Sequence, residues 1–254
     1  SSLEDAKAAA AAGIKSVRLQ TSSLEDAKAA AAVDGITSVR LKTSSIEVAT
    51  AAEAIAGISS VYLQTSSLED AKAAAAVDGI ESVYLETSSL EDAKAAAAID
   101  GITSVRLNTS SFDDAKAAEA IDGISVYLQT SSLEDAEAAA STFGIGVRLI
   151  TSNLAEAEAA AAKDGIGSVA FKTRDLKEAI SAAAAGTAGF VRFEAKNIGD
   201  AMKAAAARGM GSVHLTASTF ADAEAAQVAG LGVTLVTSNV ADVIAAREKE
   251  ISAR

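Results

Sequence analysis

The chain has 254 residues, half of them hydrophobic, a formal net charge of −12, six Phe, three Tyr, and no Cys, Trp or Pro. This is enough apolar material for a sizeable core, but it is drawn largely from alanine, so the core is expected to rest on close backbone approach rather than on bulky side chains. Nucleic acid and anionic membranes recruit clustered positive charge, which disfavours both as partners, and without cysteine there is no disulfide framework, thiolate nucleophile or cysteine metal site.

The chain begins on a helix opening, Ser2-Leu3-Glu4-Asp5, with none of the basic and apolar regions of a secretion signal ahead of it. An alanine-rich helix is expected to follow, then a glycine and the short strand Val17-Arg18-Leu19. From there the chain repeats itself. The valines that open each strand are Val17, Val39, Val61, Val83, Val105, Val126, Val147, Val169, Val191, Val213 and Val233, spaced by 20 to 22 residues. A period of this length is the mark of a stacked-repeat architecture.

Within each repeat the strand is followed by a hydroxyl-rich triplet, such as Thr21-Ser22-Ser23. The distance from the valine to the last triplet residue is six positions in every copy, as in Val39 to Ser45 and Val233 to Asn239. Length changes fall only between that residue and the next valine. The strand-to-helix corner therefore has fixed geometry, while the return connection tolerates deletion as surface loops do.

The third triplet position is occupied by Ser23, Ser45, Ser67, Ser89, Ser111, Ser132, Asn153, Asp175, Asn197, Thr219 and Asn239. All can accept a hydrogen bond from the free N–H groups of a first helical turn. Three residues further on stands Asp or Glu in every copy but one, where Val48 replaces it. The pattern predicts a reciprocal capping box, with the carboxylate also favoured by the helix dipole. The helix is expected to run about eleven residues, to a glycine such as Gly35 or Gly57 in the left-handed C′ position. Glu25–Lys28 and Glu69–Lys72 are spaced to pair on the helix surface.

Strand parity puts Val39, Leu41 and Thr43 on one face and Arg40 and Lys42 on the other. Parallel strands joined through helices imply right-handed crossovers. Strands about 4.8 Å apart backed by helices at least about 8 Å apart imply curvature. The expected fold is α/β: a curved right-handed α/β solenoid of about eleven strand–helix repeats, with the parallel sheet on the concave face and helices on the convex face. It is expected to form a single repeat domain over 1–254. A polar terminal cap is expected at about 240–254, including Arg247-Glu248-Lys249-Glu250.

The pattern Ile36-x-x-Val39-x-Leu41-x-x-Ser44-x-Ile46, and its recurrence from Ile58 to Leu68, resembles the leucine-rich-repeat signature over nearly the whole chain. That resemblance implies architecture rather than activity. Two departures stand out: serine occupies the place where the family has a buried asparagine, and the helix carries alanine in place of leucine. A closed α/β barrel is the alternative, disfavoured because its units run longer.

The outward strand position after each valine forms a row: Arg18, Arg40, Tyr62, Tyr84, Arg106, Tyr127, Arg148, Ala170, Arg192, His214 and Thr234. The bland reading is a solvated face held by cross-strand stacking and cation–π contacts. The functional reading is a binding surface for an acidic peptide or a glycan, made by Arg18, Arg40, Tyr62, Tyr84, Arg106, Tyr127, Arg148 and Arg192, in which arginines meet anionic groups and tyrosines provide flat contact area.

The other motifs carry less. The Glu-Asp pairs sit in first helical turns, where capping already occupies them, so no metal is expected. His214 is the single histidine and has no triad or zinc constellation around it. Gly165-Ile166-Gly167 lies between a helix and a strand, the reverse of the dinucleotide-binding polarity, and no phosphate loop is present. The threonine row suggests an ice-binding surface, but its parity puts it on the buried face. The serine row beside it, replaced by Arg174 and Lys196 in two copies, is expected to be exposed.

The longest uncharged run, Ala225 to Ala241, is shorter than a bilayer span and interrupted by Gln227, Gly230, Gly232 and Ser238. The expected function is a structural or interaction scaffold, evolved or designed, with no catalytic site and no cofactor. The alternative is a binding module that uses the Arg/Tyr row. Expected partners are protein or glycan on that face, with no nucleic acid or membrane, and self-association end to end through the first helix.

Overall fold

The structure is a computed structural model and describes residues 2–14, 16–142, 144–186, 188–237, 239–249 and 251–253. Helices begin where a capping side chain precedes an Asp- or Glu-containing first turn, and strands begin where β-branched residues alternate with polar ones. The chain divides into two units, Ser1–Tyr127 and Leu128–Arg254.

The first unit contains α1 (Leu3–Ala11), β1 (Val17–Thr21), α2 (Leu24–Ala31), β2 (Ile36–Thr43), α3 (Ile46–Glu53), β3 (Ser60–Thr65), α4 (Leu68–Ala75), β4 (Ile80–Thr87), α5 (Leu90–Ala97), β5 (Ile102–Thr109) and α6 (Phe112–Glu119). The strand β6 (Ile124–Thr130) contains the division between the units. Strands β1 to β5 pair in sequence order and all in parallel.

The second unit contains α7 (Leu133–Ala140), β7 (Ile145–Thr151), α8 (Leu154–Ala161), β8 (Ser168–Thr173), α9 (Leu176–Ala185), β9 (Phe190–Ala195), α10 (Ile198–Ala205), β10 (Ser212–Ala217), α11 (Phe220–Val228), β11 (Gly232–Leu235), α12 (Val240–Glu248) and β12 (Ser252–Ala253). Strands β7 to β12 again pair in parallel and in sequence order. The order does not close on itself in either unit, so the α/β repeat architecture is an open sheet and not a barrel.

The short β12 adds a twelfth strand to the eleven read from the valine spacing. In the segment expected to act as a polar cap, Lys249 pairs with Glu224 at 3.4 Å. Glu250 and the side chains of Arg247 and Glu248 lie outside the described residues, as does Thr187. Among the described residues no helix is long and apolar enough to cross a membrane.

The core is two layers thick. Val39 and Leu41, Val83 and Leu85, and their counterparts are buried on one face of the sheet. Ala27 and Ala30, and Ala93 and Ala96, are 0 % exposed, and most of the equivalent alanines of other helices are buried with them. Each strand leucine withdrawn from water contributes about 1.5–3 kcal/mol. The fully buried helix side chains are alanines, whose methyl groups allow close approach of helix and sheet.

The helices are shorter than expected. A typical one, such as α2 or α5, has eight residues and ends four positions before its glycine. The chain then makes a β-turn, with the Ile36 N–H donating to the Val33 carbonyl at 3.2 Å and Gly35 at φ +95°. This is the second central position of a turn that needs positive φ. The left-handed C′ geometry occurs instead at Gly13 and Gly230, where the next N–H reaches back five residues, Ile14 to Ala9 and Leu231 to Ala226. It is the Schellman pattern. The turn glycines also meet the preceding repeat: a Cβ on Gly101 would lie 2.9 Å from the Ala75 carbonyl oxygen.

Candidate functional site

Hydrogen bonds between cap residues and their neighbours organise the strand-to-helix corners. The cap oxygen accepts from the amide three residues on, as Ser89 Oγ does from the Asp92 N–H at 3.1 Å. A full reciprocal capping box occurs at Ser2 and Asp5 in α1. From Ser23 to Asp175 the partner expected of the carboxylate is different: the cap N–H donates to the threonine two residues before it, as from Ser89 to Thr87 Oγ1 at 3.0 Å. The same bond recurs at Thr21, Thr43, Thr65, Thr109, Thr130, Thr151 and Thr173.

In the longer-armed repeats the circuit extends by one step. Thr151 Oγ1 donates to Glu156 at 2.6 Å and Thr173 Oγ1 to Glu178 at 3.0 Å. The threonines from Thr65 to Thr151 are buried, and serines such as Ser44, Ser66 and Ser88 beside them are exposed. The cap amide at these corners is held by the threonine, one residue before the exposed serine. The threonine row therefore belongs to the folding of the corner, and from Thr65 to Thr151 it is withdrawn from the surface.

The outward row is half-buried in its middle and exposed at its start. In the first unit Arg18 and Arg40 are exposed, and Tyr62, Tyr84, Arg106 and Tyr127 are half-buried. Arg40 lies over the Tyr62 ring, 4.5 Å from its centroid, and Arg106 lies 5.3 Å from that of Tyr127. Arg40, Tyr62, Tyr84 and Arg106 line one cleft of about 470 Å³. Neither Arg40 nor Arg106 forms an ion pair among the described residues.

A second outward row, absent from the sequence-derived set, completes this cleft. Lys42, Gln64 and Glu86 also line it. The Gln64 amide donates to one Glu86 oxygen at 3.4 Å and the Asn108 amide donates to the other. Parity could have found these residues, since each stands two positions after its row-one neighbour.

In the second unit the row is different. Ala170 is buried between the strands that carry Arg148 and Arg192, and the Nε atoms of those two arginines are buried with no hydrogen-bond partner. A separate cleft of about 530 Å³ is lined by Ser152, Lys172, Arg174 and Glu194. The Arg174 guanidinium donates to Glu194 across it at 3.1 Å, so its charge is engaged. His214 is half-buried and paired through Nε2 with the Thr234 hydroxyl at 3.1 Å.

The helix surface pairs are partly as expected: Lys72–Glu69 at 3.1 Å and Lys94–Glu91 at 3.5 Å form, whereas Glu25 and Lys28 are not within ion-pair distance. Among the described residues two carboxyls are held below their ordinary values. At Asp5 the cause is hydrogen bonding with the Ser2 side chain first and its backbone N–H second; at Glu47 it is the Ser45 hydroxyl, which donates at 2.6 Å.

No protein-family model and no curated protein matches the chain.

Proposed function

We propose that the chain is an interaction scaffold without a catalytic site, whose repeats build a regular sheet and leave the outward face free to vary. The observation that carries this reading is the economy of the corners: their threonines and cap residues are occupied by the hydrogen bonds that turn the chain. The near-identity of the early units suits a natural or a designed scaffold equally. The leucine-rich-repeat likeness enters as a likeness of architecture. Nucleic acid and membranes are disfavoured as partners by the charge of −12.

A scaffold of this kind tolerates loss of a whole repeat. Removing residues 66–87, one complete period, should leave a folded protein with unchanged mean helicity per residue and a lower denaturation midpoint. A chain that no longer folds, or turnover in a broad substrate screen, would count against the reading.

The second reading is a binding module for an acidic peptide or glycan. It is favoured by the convergence of Arg40, Tyr62, Tyr84 and Arg106 on one cleft of about 470 Å³, a size suited to a ligand. Replacing Arg40 and Arg106 together with alanine should remove binding of anionic probes while the circular-dichroism spectrum stays unchanged.

A further inference from the structure

Independently of the first unit's cleft, we propose that the cleft of the second unit binds a phosphate monoester with a hydroxylated body, of the sugar-phosphate class, with its phosphoryl group beside Lys172 and Arg192. The register of β8 and β9 pairs Lys172 directly with Arg192. Among the described strand pairs no other sets two cations opposite each other, and in the first unit the residue that faces Arg106 is Glu86. Like charges directly opposed are destabilising. Neither Lys172 nor Arg192 forms an ion pair among the described residues, and the Arg192 Nε is buried without a hydrogen-bond partner. The stretch 172–196 also departs from the rest in charge, with five Lys or Arg against three Asp or Glu in a chain of net charge −12. It includes Arg174 and Lys196, the two cations that interrupt the serine row.

The neighbours of this pair across the sheet are hydroxyls. Arg192 faces Ser212 on β10. On the other side Thr151 pairs with Phe171, which sets Ser152 next to Lys172. The row therefore reads hydroxyl, cation, cation, hydroxyl. A phosphate monoester carries about −1.5 to −2 charge at neutral pH and three strong acceptor oxygens, so one group can answer both cations. A carboxylate supplies a single charge. Ser152 and Lys172 line the cleft of about 530 Å³ together with Thr173, Arg174, Asp175 and Glu194, a size suited to a small ligand. Its two acids are each engaged through one oxygen: Glu194 Oε2 accepts from Arg174 at 3.1 Å, and Asp175 Oδ1 accepts from the Lys177 and Glu178 amides at 2.8 and 3.1 Å. The amides at the start of α9 are thus taken, and the anion is left to the side chains. The second oxygen of each acid can accept from a ligand hydroxyl, while the charge of both repels a second anionic group. The body of the ligand is therefore hydroxylated and uncharged.

The test is isothermal titration calorimetry at low salt with four probes: glucose 6-phosphate, inorganic phosphate, gluconate and glucose. Glucose 6-phosphate should bind about tenfold more tightly than inorganic phosphate or gluconate, and glucose should give no signal. Lys172→Met and Arg192→Met keep an apolar stem in place and should each weaken glucose 6-phosphate by about tenfold. Arg40→Ala combined with Arg106→Ala should leave its affinity unchanged. Circular dichroism of every variant separates loss of binding from loss of fold. Inorganic phosphate binding as tightly as glucose 6-phosphate would overturn the hydroxylated body, and gluconate doing so would overturn the phosphoryl group. Unchanged affinity in both Met variants would overturn the site. If glucose 6-phosphate does not bind at all, the whole inference falls, while the reading of the first unit's cleft, tested at Arg40 and Arg106, still stands.

Discussion

Two kinds of strand-to-helix corner occur in this chain, and they differ by one hydroxyl. At Ser67, Ser89 and Ser111 the preceding threonine accepts the cap N–H, and the cap residue sits at φ of −97° to −96° and ψ of 119° to 122°. At Asn197 and Thr219 that threonine is Ala195 or Ala217, and the cap moves to φ −144°, ψ 154° and φ −125°, ψ 149°. The helix still starts, because the cap oxygen still accepts from Asp200 or Asp222. The carboxylate then turns to the cap side chain itself, accepting from Asn197 Nδ2 at 2.8 Å and from the Thr219 hydroxyl at 2.9 Å. The threonine hydroxyl thus sets the angle at which the chain enters the helix, and the cap oxygen allows the helix to begin.

Breaking the first kind of corner should have the largest effect. Thr87→Val keeps the shape of a buried side chain but leaves the Ser89 N–H without its acceptor, for a loss of about 1–3 kcal/mol in chemical denaturation. Ser89→Ala removes the cap oxygen at the same corner and should cost about 1 kcal/mol. Loss of the second similar to loss of the first would mean that the two hydroxyls work as one unit, which a double-mutant cycle would measure.

Converting the second kind into the first sharpens the comparison from the other side. Ala195→Thr should stabilise by about 0.5–1 kcal/mol and slow amide exchange at Asn197. Unchanged exchange there would show that the altered cap angle has another cause.

The smallest effect expected is at Ser2, the cap whose own N–H donates to the Asp5 carboxylate in a full capping box. Asp5 there titrates below its ordinary value of 3.8 because Ser2 hydrogen-bonds its ionised form. Its contribution is fully present above that ordinary value and is lost as pH falls through the lowered one. Acid should therefore loosen α1 at its first turn, seen as faster amide exchange at Asp5, while Thr87 continues to hold the Ser89 corner.

Much of this was legible without coordinates. Valine spacing gave the repeat, cap residues marked the helix starts, and strand parity separated Leu41 from Arg40. The end of a typical helix was not legible, although Gly13, Gly186 and Gly230 do stand in the left-handed conformation expected of them. Gly35 looks like a helix-terminating glycine in sequence, yet the chain leaves the helix at Ala32 and spends the glycine in a turn. Both uses require positive φ, so sequence has no means of distinguishing them. The second outward row was missed at the site for a different reason: Gln64, Glu86 and Asn108 are ordinary polar residues until neighbouring strands bring their side chains together.

By itself the sequence determined the things that depend on local chemistry: period, parity, and which oxygen caps which helix. These follow from bonds made within six residues of one another, such as Ser89 to Asp92 and Thr87 to Ser89. Only the tertiary structure decided which side chains share a cleft. Arg40 and Arg106 are three repeats apart along the chain, and Glu86 meets amides 22 residues away on either side. Those juxtapositions come from strand register, and register is set by the packing of buried leucines and alanines across the whole layer.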